Sequence, residues 1–215
     1  FEKKPDIVAA TSPQFFAALG GWLLASIRRI PFVFELGDLW PASIVAVGVM
    51  KKNFLLSLME SMELCLYRRS AAIVVLTHSF KSNLISRGIK EDKIAVVING
   101  VDIYRYTPIK RDQSLAAKYS LNNHFTVGYV GTHGMAHALN NVLNAASLLR
   151  DQNRIRFLLV GPGAMRESLI AEAKLRGLDN VIFIPPRPRS RMPQVWSLCD
   201  VALIHLRDDP VFSEV

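Results

Sequence analysis

Short apolar runs rich in Val and Ile alternate along this chain with longer stretches whose apolar residues recur at helical spacing. In the first half "DIVAATS" is followed by "PQFFAALGGWLLASIRR", "PFVFEL" by "NFLLSLMESMELCLYRR", "AAIVVL" by "SFKSNLISRG", and "KIAVVI" ends the series. The short runs are nearly continuous in apolar character, as strands buried on both faces are, and the stretches between them have the length and period of helices. Strand alternating with helix predicts a parallel sheet with helices on both faces. After the polar stretch "KRDQSLAAKYSLNNH" the rhythm resumes: "FTVGYVG" leads to "HALNNVLNAASLLR", "RIRFLLVG" to "MRESLIAEAKLRG", "NVIFIPP" to "SRMPQVWSLC", and "VALIHL" is the last strand.

The expected fold class is therefore α/β, with two Rossmann-like doubly wound parallel-sheet domains. Residues 1–106 form the first, 107–122 a linker and 123–215 the second. The joint is "VVINGVDIYRYTP", Val96 to Pro108, where Asn99-Gly100 reads as a tight turn ending a strand and Pro108 keeps the connection irregular. A single continuous sheet with one long surface loop is the alternative, and a dozen unstructured residues inside a compact domain are uncommon. The pattern is cut at both ends, so both domains are expected to be incomplete and the chain to be a piece of a longer one.

Composition narrows the function classes. Of 215 residues half are hydrophobic, enough for one large core or two modest ones. Cys65 and Cys199 lie far apart in apolar contexts, which reads as two core thiols in a reducing compartment. The net charge of +8 is spread evenly, with thirteen Lys and Arg against nine Asp and Glu in each of 1–106 and 107–215. There is no basic arm and no interleaving of aromatic with basic residues, so nucleic acid is not the expected partner; phosphate-bearing substrates or an anionic membrane surface fit the charge better. No signal peptide and no bilayer-spanning apolar stretch is visible. HExxH, CxxC and GxSxG are absent and the five histidines lack metal-ligand spacing, so metal and serine hydrolysis have no support and no metal or cofactor is expected.

In open parallel sheets ligands bind beyond the carboxyl ends of the strands. The residues in that position include Gly37-Asp38, Thr77-His78-Ser79, Asn99-Gly100, Gly131 to Gly134, Gly161 to Gly163, Pro185 to Arg189 and His205 to Asp209. If two such sheets oppose these edges, the residues line one cleft. The loop Gly131-Thr132-His133-Gly134 could bring backbone N–H groups and the start of the next helix to an anion, or be only a turn. "GPG" reads as a turn and helix start. The three arginines of "PPRPRSRMP" suit phosphate or carboxylate, or belong to a solvated basic loop. Asp38 in "GDLWP" could accept a hydroxyl proton or cap a helix. The stretch Lys51 to Arg69 is a core helix by default; its basic ends, Lys51, Lys52, Arg68 and Arg69, beside Phe54, Leu55, Leu58 and Met62 would also suit an anionic membrane surface.

The segment "AAIVVLTHSFKSNLISRGIKEDKIAVVINGVDIYRYTP" resembles the close of the N-terminal domain in retaining, family-4 glycosyltransferases of the GT-B fold, with Tyr106 where phenylalanine is usual. "FTVGYVGTHGMAHALNNVLNAASLL", "FLLVGPG", "NVIFI" and "MPQVWSLCDVALIHL" are similar in order and spacing to that family's donor-binding domain, and "PFVFELGDLWP" looks most like transferases that add N-acetyl-fucosamine-type sugars to lipid-linked surface-polysaccharide precursors. The resemblance implies a nucleotide-sugar donor, UDP-linked, a lipid-linked saccharide acceptor and a cytoplasmic protein peripheral on the inner membrane face. It implies that Gly131, Thr132, His133 and Gly134 lie against the donor diphosphate, that the backbone at Ile184 and Pro185 meets the base, and that Glu214 is the first glutamate of an E-x7-E element touching the sugar. Met135, Ala136 and His137 follow the glycine loop where a basic residue is common, so Arg166 or Arg187 would neutralise the diphosphate. The leaving phosphate itself could take the acceptor proton, with Asp38 as a further candidate catalytic group. A nucleotide-sugar 2-epimerase of the same fold and a binding-only fragment are the competing readings, and the fragment alone is expected to be inactive.

Overall fold

The computed structural model describes residues 5–48 and 53–212. The chain divides into two compact units, one of 1–100 with 208–215 and one of 101–207. Each holds a four-stranded, fully parallel sheet, as the alternating pattern predicts.

In the first unit β1 (Val8–Thr11), β2 (Phe32–Leu36), β3 (Ala72–Val75) and β4 (Ile94–Val96) lie in chain order. They are joined through α1 (Phe15–Arg28), the short α2 (Ala42–Ala46) with α3 (Phe54–Arg69), and α4 (His78–Ser86). Every connection steps the same way across the sheet, so right-handed crossovers leave α1, α3 and α4 on one face. The core lies there: Phe32, Phe34, Leu36, Ile73 and Val75 meet Phe15, Ala18 and Ala25 of α1, Leu66 and Tyr67 of α3, and Phe80 and Leu84 of α4. Each of the Phe, Leu, Ile and Val side chains among them contributes roughly 1.5–3 kcal/mol by leaving water. The opposite face, where Ala9, Thr11, Glu35 and Ala95 are exposed, carries no helix among the described residues. Within the described residues of this unit helices therefore cover one face of the sheet. A run of Val, Ile and Ala reads the same whether one face or two are covered, and only connection handedness decides which.

Under this core Glu63 is buried, accepting from the Tyr67 hydroxyl at 2.5 Å and from Arg87 at 2.6 Å. Burial raises the Glu63 carboxyl above its ordinary range, against the pull of Arg87. α3 starts on Asn53, whose side chain accepts from Leu56 N–H, and α4 on Thr77, which accepts from Phe80 N–H. Thr77 is thus a helix cap at the strand mouth.

The joint differs from its expectation. Residues 97–102 form no turn, so Asn99-Gly100 is not the tight turn expected. The turn comes later, at Asp102, whose carbonyl accepts from Arg105 and Tyr106 N–H and whose carboxylate accepts from Tyr104 and Arg105 N–H. The stretch 107–122, expected as a linker, contains α5 (Gln113–Lys118), capped by Asp112 through Leu115 N–H. Ala116 and Leu121 are fully buried there, which is why the segment folds into the second unit instead of running free.

That second sheet is ordered β7 (Val181–Ile184), β6 (Ile155–Val160), β5 (Phe125–Val130), β8 (Val201–Ala202). The chain steps outward one way from β5 and then returns to its other side, so the sheet carries helices on both faces. Phe157 and Leu159 pack with Leu143 and Ala146 of α6 (Asn140–Leu148) and Leu169 and Ala173 of α7 (Arg166–Leu175). Leu158 and Val160, pointing the other way as strand neighbours must, pack with Ala116 of α5 and Val195 of α8 (Met192–Trp196). Arg111 pins this face by donating to the carbonyls of Leu121, His124 and Leu198 and to the Asp200 carboxylate.

Candidate functional site

The reversal of strand order between β5 and β8 is a topological switch point, where neighbouring loops part and leave a crevice at the carboxyl ends of the strands. The loop Gly131–Gly134 leaves β5 at this point. It is joined to the loop Gly161–Gly163 after β6: Gly131 N–H donates to Val160 O at 3.0 Å, His133 N–H to Pro162 O at 2.6 Å, and Met165 N–H to His133 O at 2.9 Å. The joining demands glycine. Gly161 and Gly163 have φ of +144° and +148°, and a Cβ on them would collide with the carbonyls of Gly131 and His133.

Two expectations change here. The Gly131 and His133 amides are committed to the neighbouring strand and loop, so they are not the donors that would face an anion. The helix after the loop does not begin at Gly134 either; a 3-10 turn, Met135–His137, and Ala138 at a φ of +43° precede α6. The helix whose start adjoins the loop is α7, three residues beyond Gly163, and "GPG" is the support that brings it there.

Arg166 is the first residue of α7, with its side chain only 19% exposed; one terminal nitrogen meets Glu167 at 3.0 Å, while its Nε has no partner among the described residues. His133 is fully buried and neither ring nitrogen finds a partner among them. Burial, then the Arg166 charge and then His137, press the His133 imidazole down to about 4, so it is neutral at neutral pH. His137, on the 3-10 turn, is lowered chiefly by burial and less by His205. Its carbonyl lies 2.6 Å from Nδ1 of His205, and Arg207 N–H donates to Ala136 O at 2.7 Å, so the chain leaving β8 runs beside the turn that follows β5. Tyr129 donates to Thr132 O at 2.8 Å, and its ring lies 5.9 Å from both His133 and His137. The crevice thus gathers three imidazoles and one guanidinium.

Of the residues singled out by sequence, Gly131, Thr132, His133, Gly134 and Arg166 come together here. Arg187 does not join them; it is exposed and donates to the Tyr119 hydroxyl at 2.7 Å. The Ile184 side chain is wholly buried in the core and Pro185 is exposed, which leaves the backbone as the only part of Ile184 open to a ligand. Glu214, Lys51 and Lys52 lie outside the described residues. Arg68 and Arg69 are exposed at the end of α3. Sequence reasoning passed over Tyr129 and gave no role to His137 or His205. Position beyond a strand end was the signal available for His205; nothing local marks Tyr129.

In the first unit Asp38 sits at the carboxyl edge of β2. Ser12 Oγ accepts from Gly37 N–H at 3.0 Å and Asp38 N–H at 3.3 Å, and the Asp38 carboxylate accepts from the Ser43 hydroxyl at 3.0 Å. Asp38 is not a helix cap: Pro41 precedes α2 and no side chain caps that helix. Among the described residues no three His, Cys, Asp or Glu side chains are grouped to hold a metal ion, and no helix is long and apolar enough to cross a membrane.

Residues 1–105 match the family model described as Glycosyltransferase Family 4, and residues 110–211 the one described as Glycosyl transferases group 1. The putative colanic acid biosynthesis glycosyl transferase WcaI of Escherichia coli is 25% identical over 207 residues, 94% of this chain and 51% of that protein. The D-inositol 3-phosphate glycosyltransferase of Nocardia farcinica is 32% identical over 136 residues, 59% of this chain and 29% of that protein. Among solved structures, HepE of Anabaena in complex with UDP-glucose superposes with a TM-score of 0.74 at 19% identity, covering 92% of this chain and 52% of that one. Sucrose-phosphate synthase from Thermosynechococcus elongatus gives 0.73 at 15% identity, covering 93% and 50%. The chain spans about half the length of WcaI and of these two solved structures, and a smaller share of the Nocardia enzyme. With both family models matched in this order and two parallel sheets of the corresponding fold, the chain belongs to the family-4 glycosyltransferases of the GT-B fold.

Proposed function

We propose that this chain is part of a retaining glycosyltransferase that moves a sugar from a UDP-sugar to a lipid-linked polysaccharide precursor at the cytoplasmic face of the membrane. The observation that carries the reading is Arg166, placed by the paired glycine loops at the switch-point crevice with its Nε unpartnered among the described residues. Leaving of a nucleoside diphosphate requires that growing negative charge be stabilised. A half-buried guanidinium supplies this without a metal ion, and the fork geometry of arginine suits phosphate oxygens. UDP as the nucleotide is supported by HepE, solved with UDP and with UDP-glucose. A surface-polysaccharide acceptor is supported by the colanic acid relative. An N-acetylated amino sugar rests on "PFVFELGDLWP". Glu214 would touch the sugar hydroxyls, the Ile184–Pro185 backbone the base, and Asp38, held by Ser12 and Ser43, would face the acceptor side.

Calorimetric titration of the chain with UDP tests the donor site. Arg166→Ala should weaken binding by about tenfold or more, and a chelator should leave it unchanged. Equal affinity in parent and variant removes Arg166 from the site, and no UDP binding removes the donor reading. With the chain as part of a full-length enzyme, UDP-sugar conversion that needs no acceptor would assign an epimerase instead; the 215 residues alone are not expected to turn over.

A further inference from the structure

The segment that leaves β4 is held at its two ends and nowhere between. Val97 N–H donates to Val75 O at 2.9 Å, and the next backbone bonds are those of the Asp102 turn. Ile98, Asn99, Gly100 and Val101 lie between these points, all exposed and with no hydrogen bond among the described residues. A backbone without partners or packing rotates at little cost. Asn99 is the chain's one asparagine followed by glycine. A Cβ placed on Gly100 would meet nothing within 4 Å, so the Gly100 nitrogen is uncrowded on every side. The asparagines elsewhere differ: Asn140, Asn144 and Asn180 have side-chain partners, and Asn122, Asn123 and Asn153, though exposed, precede residues that carry a Cβ.

We propose that Asn99-Gly100 is a self-modification site at which the chain converts an asparagine to isoaspartate and aspartate. The Gly100 amide nitrogen gives up its proton and attacks the carbonyl carbon of the Asn99 side chain. The new C–N bond closes a five-membered succinimide, and the side-chain nitrogen leaves as ammonia. Water then opens the ring. Addition at the side-chain carbonyl gives aspartate; addition at the main-chain carbonyl gives isoaspartate, whose backbone runs through Cβ and is one carbon longer. One water is consumed, one ammonia is released, and a neutral amide becomes a carboxylate. Ring closure requires Asn99 to rotate out of its extended path and the nitrogen to be approached closely, which an unbonded segment and a residue without Cβ allow. The product places a negative charge three residues before Asp102, in the segment that leads into the second unit. The step uses neither a donor nor an acceptor and is independent of the transfer reading.

The test is to age the folded chain in warm, mildly alkaline buffer and follow the tryptic peptide Ile94–Arg105 by mass spectrometry. That peptide should grow heavier by the difference between an amide and a carboxylic acid, and split into two products of equal mass. Its rate in the folded chain should match that of the isolated peptide to within a few-fold, because the fold places no restraint on the segment. Asn122, Asn123 and Asn153 of the same sample should remain amides far longer. Gly100→Ala, which the open space accommodates, should slow the change severalfold. A methyltransferase specific for isoaspartyl carboxylates, supplied with S-adenosylmethionine, should label the aged parent and leave aged Asn99→Gln unlabelled. The proposal is overturned if Asn99 changes no faster than Asn153, if it changes far more slowly in the folded chain than in the isolated peptide, or if aged parent and aged Asn99→Gln take up the label equally.

Discussion

His133 should make the second unit acid-labile. Its imidazole is fully buried and its pKa is pressed from 6.5 to about 4, first by burial and then by Arg166 and His137. The folded state holds the neutral ring, whereas the unfolded chain protonates near the ordinary 6.5. Stability from this site is therefore whole above 6.5 and is lost as pH falls from there toward 4. The complete gap is worth on the order of 3 kcal/mol, of which about 2 kcal/mol is lost between roughly pH 7.5 and pH 5. Urea unfolding followed through Trp196, with Trp22 and Trp40 replaced by Phe, reports this unit alone, since Trp196 is its one tryptophan. The midpoint should fall by about 1 M urea over that interval. His133→Leu should remove most of the loss, because the remaining imidazoles are partly exposed. If His133→Leu and the parent lose the same stability on acidification, the ring is not held neutral by its site and the reasoning fails.

Two further outcomes follow from the same physical terms. Gly163→Ala should destabilise the second unit by at least about 2 kcal/mol, since the residue combines a φ of +148° with a Cβ collision on the His133 carbonyl; the urea midpoint measures it, and Pro162→Ala, at an exposed neighbour, is the comparison expected to cost less. Arg87→Ala should destabilise the first unit by roughly 3 kcal/mol, because it strips the buried Glu63 carboxylate of its cation, and Glu63→Gln in that background should recover part of the loss. Equilibrium unfolding of the three proteins through Trp22 and Trp40 decides it; no recovery would mean that the desolvated charge is not the cause.

The alternation of strand and helix was legible in the sequence because backbone geometry imposes its period on any buried element: "RIRFLLVG" and "MRESLIAEAKLRG" declare themselves without a neighbour in sight. So was the position of the candidate site, since Gly131–Gly134 and His205 both follow strands. The role of "GPG" was not, because Gly161 and Gly163 are required by the Gly131 and His133 carbonyls, some thirty residues distant along the chain. Arg166 and Arg187 looked alike as candidate phosphate ligands. The fold gave one to the crevice and the other to Tyr119, a choice set by which loops the sheet brings together.

Sequence by itself determined the α/β class, the parallel pairing and the division into two units, all consequences of local period and of how strands joined by helices must run. Tertiary structure alone decided which faces are covered. Among the described residues the same apolar strand pattern is clothed on both sides in the second unit, where the order β7-β6-β5-β8 reverses direction, and on one side in the first, where β1 to β4 step one way. Crossover handedness fixes the side on which each helix falls, and that is a property of the order of strands in space, which a string of residues does not contain.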